Sequence, residues 1–142
     1  MLYLRDFNDL LKKIRFSDIE IKSLVSMEKR MEDDALDVNS NVTEKISGTK
    51  NLNGVYDIVN CYIDLGQVIH DKLVQLLEDK KIALDMINTL DNSIYRIILI
   101  ERYFNSQSWR SIAFLINRSE KWTRCLHRKA LIELKNLDTI NC

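Results

Sequence analysis

The sequence predicts an all-α protein: a long N-terminal helical hairpin or coiled coil, followed by a C-terminal helix-turn-helix bundle. Three observations predict it. The 142 residues contain no proline, and their only glycines are Gly48, Gly54 and Gly66. In a helix interior, proline costs about 3 kcal/mol and glycine about 1 kcal/mol relative to alanine, so little in this chain stops a helix. Hydrophobic residues make up 46% and charged residues 30%, which is apolar enough to fill a core and argues against wholesale disorder. The apolar residues recur at steps of three and four, the helical period. Turn signals every 8–12 residues, the mark of a β-sandwich, are missing.

The first helix is expected over residues 4–35, where Phe7, Leu10, Ile14, Ile21, Leu24 and Met31 share one face. Ser17 and Glu20 have capping-box spacing, so either a break near Phe16 or one uninterrupted helix is consistent with the sequence. Residues 36–54 hold six Asn and Ser and two of the three glycines. Their apolar residues have no period, so they read as a flexible loop.

Residues 55–90 carry the strongest pattern. Val55, Val59, Tyr62, Gly66, Ile69, Leu73, Leu76, Lys80, Ala83, Ile87 and Leu90 alternate steps of four and three without a slip. This is a heptad seam on a helix roughly 54 Å long. Gly66 and Lys80 weaken it, and Gly66 is a place where a neighbouring helix could approach closely. The seam suits either a hairpin with the first helix or a homodimeric coiled coil.

After Leu90 the pattern shortens. Asp91 or Asn92 can cap a helix start. Residues 94–104 are apolar almost all round, as in a buried helix. Residues 105–108 form a turn. Residues 108–116 form a short helix with Ile112, Ala113 and Ile116 on one face. Asn117 tolerates the left-handed conformation that ends a helix. Ser119 can then cap a helix running to about Lys135, with Glu120 in its first turn and an inner stripe of Trp122, Thr123, Leu126, Ala130, Leu131 and Leu134. The chain thus divides into an assembly region (1–90), a helix-turn-helix domain (91–137) and a tail (138–142).

A short helix, a three-residue turn and a longer helix form the spacing of a DNA-reading unit. Ala113 is small where the second helix crosses, and Leu126 anchors that helix. The outward residues are Glu120, Lys121, Arg124, Cys125 and Arg128, among which the cations are donors suited to base edges and phosphates. Arg110, Arg118 and Ser119 flank the turn and suit backbone contacts. Trp122 either packs or touches a sugar. Trp109 reads as a packing residue, and His127 as either packed or solvent-facing. Charge location agrees with this reading. The net charge of zero conceals a net of −5 over residues 1–91 and +5 over residues 92–142, and six of the nine arginines fall between Arg96 and Arg128. Such a distribution suits a basic reading head on an acidic body.

Residues 90–137 resemble region 4 of bacterial sigma factors, and are closer to phage-encoded sigma-like transcription regulators of the ArpU type. The resemblance rests on Arg102-Tyr103, Ser108-Trp109, Ile112-Ala113, Ser119-Glu120, Leu126-His127 and Ala130-Leu131. The preceding helix, polar loop and long helix ending in Ile87 and Leu90 are similar to that family too. The resemblance implies a sequence-specific DNA-binding regulator, often of phage late genes. The longer sigma regions that bind the −10 element have no counterpart here.

Other classes fit less well. None of H-E-x-x-H, G-x-x-x-x-G-K-[ST], G-x-S-x-G or a glycine-rich loop is present. The carboxylate pairs Asp33-Asp34 and Glu78-Asp79 read as solvated charge, so no catalytic residues are expected. Cys61, Cys125 and Cys142 lack C-x-x-C spacing, and His70 and His127 lack partners at ligand spacing, so neither a metal nor a cofactor is expected. No apolar run is long enough to span a membrane. The charged N-terminus lacks a signal-peptide stretch, so a cytoplasmic protein is expected. The expected partner is double-stranded DNA, with specific affinity raised by a homodimer through the N-terminal helices or by RNA polymerase. The alternative is a non-enzymatic helical adaptor that holds a protein partner through the 55–90 seam.

Overall fold

The computed structural model describes residues 4–42 and 52–140, which are helical with short connections. Helix α1 spans Leu4–Val42 and α2 spans Leu52–Ile87; α3 (Ser93–Leu99) continues as a π-helical turn over Ile100–Phe104; α4 is Trp109–Leu115 and α5 is Glu120–Ile140. The all-α expectation holds. Helix α1 runs through Ser17 without a break.

The loop expected over 36–54 is shorter than that. Residues 36–42 extend α1 and residues 52–54 open α2, while the rest of that loop lies outside the described residues. The reason is energetic. Asn, Ser and Val each cost at most about 0.7 kcal/mol in a helix, too little to stop one that is already propagating. Likewise α5 continues five residues beyond Lys135 into the expected tail.

The chain forms two compact units. One contains Met1–Ile19 and Gln75–Cys142; the other contains Glu20–Val74. In the first unit the fully buried side chains come from every helix: Phe7, Leu11 and Ile14 of α1, Ile87 of α2, Ile98 and Leu99 of α3, Ile112 of α4, and Thr123 and Leu134 of α5. Leu11, not Leu10, is the fully buried leucine of the first turns. The ion pairs Lys13–Asp79 (3.2 Å) and Lys80–Asp18 (3.6 Å) tie α1 to α2 here. Asp79 is buried and also accepts from Gln75 Nε2 at 3.1 Å. The reading of this carboxylate as solvated charge is therefore corrected: it is a buried, partnered ion.

In the second unit the helices run antiparallel. Lys72 meets Glu20 at 3.0 Å, and further along Met31, Glu32 and Ala35 share a shallow groove with Ile58, Val59 and Tyr62. Glu32, then burial and Glu28, push the Tyr62 hydroxyl above its usual range. The heptad seam is thus satisfied within the chain where it is buried, at Ile69 in this unit and at Leu76, Ala83, Ile87 and Leu90 in the other. Gly66 does not serve close approach, because a Cβ placed there would meet nothing within 4 Å. Helix α2 also keeps Tyr56 (66%), Ile63 (60%), Leu77 (57%) and Leu84 exposed, with the exposed His70 standing between Ile63 and Leu77.

The 94–104 helix is buried on one face only. Ile98, Leu99 and Tyr103 are buried, while Ile97 is exposed. Asn92 caps its start, its side-chain oxygen accepting from the Ile94 N–H at 2.9 Å. Arg96 ties the α2–α3 connection by donating to the carbonyls of Leu90 and Asp91. Its end departs from the α-helical period. The Asn105 N–H reaches back to the Ile100 carbonyl (3.1 Å) and Gln107 N–H to the Glu101 carbonyl (2.9 Å), with Ser106 at φ 52°. A π turn takes in one extra residue, which rotates the faces of the residues beyond it.

Candidate nucleic-acid interface

Four residues, Ile116 to Ser119, separate α4 from α5. Their geometry comes from side-chain chemistry. Ser108 caps α4, its hydroxyl oxygen accepting from the Ser111 N–H at 3.2 Å. At the other end Asn117 sits at φ 55°. The Arg118 N–H bonds the Ala113 carbonyl (2.9 Å) and the Asn117 N–H bonds the Phe114 carbonyl (3.2 Å). This pair of bonds is the Schellman ending, which needs a residue that tolerates the left-handed region. Ser119 then caps α5 by accepting from the Trp122 N–H at 3.1 Å. Thr123 is fully buried, and its hydroxyl donates to the Ser119 carbonyl at 2.8 Å. That bond satisfies the hydroxyl inside the core.

Helix α5 packs on α3 and α4. Thr123, Ala130 and Leu134 face inward, and Leu126 and Leu131 are half-buried. Trp122 leaves the expected inner stripe: it is exposed (47%), and the Lys129 ammonium lies 5.3 Å from its ring centroid. Glu120, Lys121, Arg124 and Arg128 are exposed on α5, and Cys125 is half-buried among them. Arg110 on α4, and Arg118 and Ser119 in the turn, are exposed as well.

Beneath this face lies a small aromatic cluster. The Tyr103 hydroxyl and His127 Nε2 hydrogen-bond at 2.7 Å, and the Trp109 ring meets His127 edge-on at 4.9 Å between centroids. Burial pushes the His127 imidazole down to about 4, and the charges of Arg102 and Arg128 push it the same way. Burial also raises the Tyr103 hydroxyl, against the pull of Arg102 and Arg15. His127 is therefore a neutral packing residue that joins α5 to the π turn and to α4.

Sequence reasoning misses Arg102. Its guanidinium lies 4.5 Å from the centroid of the Trp109 ring and donates to the Gln107 carbonyl at 3.1 Å. Arg124 approaches the same ring at 5.8 Å. The concentration of arginines after Arg96 is a signal for it. Its face is not legible, because the π turn sets that face.

Among the described residues, no three His, Cys, Asp or Glu side chains gather as metal ligands, and no helix is long and apolar enough to cross a membrane. Comparison with protein-family models, with characterised proteins and with solved structures finds no match to this chain.

Proposed function

We propose that this chain is a sequence-specific DNA-binding transcription regulator of the phage-encoded sigma-like kind, acting in the cytoplasm of a bacterial host. The reading is carried by one observation: a capped four-residue turn presents α5 with Lys121, Arg124 and Arg128 exposed on it. In the proposal α5 enters the major groove. Arg124 and Arg128 pair with guanine edges or phosphates, while Arg110 and Arg118 hold the backbone. The net charge of +5 after Asp91 supports this.

A single module of this size binds weakly, and phosphate contacts screened by salt dominate its affinity. A second copy of the chain or RNA polymerase would raise it. Helix α2 carries exposed apolar side chains, among them Leu77 and Leu84, which suit contact with a partner. A purely protein-binding adaptor would use such exposed side chains, since the seam is buried within the chain at Ile69, Leu76, Ala83, Ile87 and Leu90.

The test is direct. Lys121→Ala/Arg124→Ala is expected to weaken DNA binding at about 150 mM salt, near physiological ionic strength, while leaving the helical signal intact. Wild-type affinity in this double variant would refute the site. Absence of salt-sensitive DNA binding by the wild-type chain would leave the adaptor reading.

A further inference from the structure

Arg102 is held in place without an opposite charge. Its guanidinium lies over Trp109, and its bond to the Gln107 carbonyl fixes its direction. That bond engages one of five guanidinium donors. Arg124 reaches the same indole from α5. From α1, the Arg15 guanidinium stacks 5.7 Å from the Phe16 ring, and its Nε is buried without a hydrogen-bond partner. None of the three pairs with a carboxylate among the described residues. Asp18 engages Lys80 and Ser106, and Glu101 engages Asn105.

Burial, then the charges of Arg15 and Arg124, hold the Arg102 guanidinium below its usual range. Gathering like charges around one ring without a counter-charge is unfavourable in isolation, and an anion bound among them relieves it. Two guanidiniums against one indole also bring two planar donor forks to the same ring, and such forks suit phosphate oxygens.

We infer that Arg102 and Arg124, both set against the Trp109 ring, form a seat for the DNA sugar-phosphate backbone beside the groove that α5 reads. The inference rests on the DNA-binding reading and adds Arg102 to it as a contact that carries no sequence information. Arg102 would then act on affinity and salt dependence, not on base preference.

The experiment measures DNA affinity of the full chain against salt for the wild type, Arg102→Gln and Arg102→Met; the methionine keeps an apolar stem over the indole. Loss of one phosphate contact lowers the slope of log K against log salt by about 0.9. Across a tenfold range of salt, the affinity of a variant should therefore change about eightfold less than that of the wild type. The loss should be equal on matched and scrambled DNA. A neutral methylphosphonate at the contacted position should weaken the wild type and leave the variants unaffected. Folded variants with the wild-type slope, and equal responses to every methylphosphonate, would overturn the seat and leave DNA reading by α5 standing. Unfolding of both variants would assign Arg102 to packing and overturn the seat as well. A wild type without salt-dependent DNA binding would instead remove the DNA reading itself.

Discussion

Acid should loosen the helix-turn-helix through His127 specifically. In an unfolded chain the imidazole titrates near 6.5; in the fold its value is about 4, first because it is buried, then because Arg102 and Arg128 oppose a second positive charge. Between these values the unfolded chain holds the extra proton, so lowering the pH favours unfolding. The stabilisation is fully present above pH 6.5 and is lost as the pH falls to about 4. A difference of about 2.5 units at 1.36 kcal/mol each gives about 3 kcal/mol as the upper bound. Acid acts on other groups of the chain as well, so the comparison is with His127→Gln, which cannot take the proton. Urea unfolding followed by circular dichroism at pH 7.5, 6, 5 and 4.5 should show the wild type losing stability faster than the variant, with the gap growing below pH 6.5. Parallel curves for the two proteins would refute the reasoning that a neutral, buried His127 joins α5 to Tyr103 and Trp109.

The same structure sets three further outcomes. Gly66→Ala should raise the thermal midpoint, gaining roughly 0.5–1 kcal/mol, because the added methyl meets open space on a helix. Asn117→Ala should cost about 1–2 kcal/mol in urea unfolding and Asn117→Gly much less, since φ 55° penalises a Cβ that has no compensating side chain. Lys13→Met should cost about 2 kcal/mol, reduced from the value for a fully buried pair because Lys13 is half in water. It should cost more than Asp79→Asn, since it strands the buried carboxylate with Gln75 alone, and the two urea midpoints compare them.

Much of the fold is legible in the residues. The heptad seam marks the inner face of α2 at Ile69, Leu76, Ala83, Ile87 and Leu90, because a buried stripe must repeat with the helix, while Val59 and Leu73 on the same seam stay exposed. The breaks at Asn92, Ser108, Asn117 and Ser119 are legible because capping is local chemistry, decided within four residues. Helix ends are less so. Residues 36–42 stay helical because weak propensities do not terminate a long helix, and Lys135 carries no stop signal. The π turn at Ile100–Phe104 is invisible to periodicity, since it is itself a departure from the period. That one turn decides where Arg102 points, which is why the arginine count foretells a basic head but not its full membership. Trp122 escapes the periodic reading for a related reason: at the first turn of α5, the inner stripe passes through Thr123, whose hydroxyl finds a partner in the Ser119 carbonyl and so can be buried.

The central claim, that α5 reads DNA sequence, is tested most directly by selecting bound molecules from a random double-stranded DNA pool with the full-length protein at about 150 mM salt, near physiological ionic strength. The expected result is an enriched motif that Lys121→Ala/Arg124→Ala fails to select; a palindrome within it would report a two-fold pair of chains. Recovery of a pool with no enriched sequence, or of the same motif by the double variant, would contradict it.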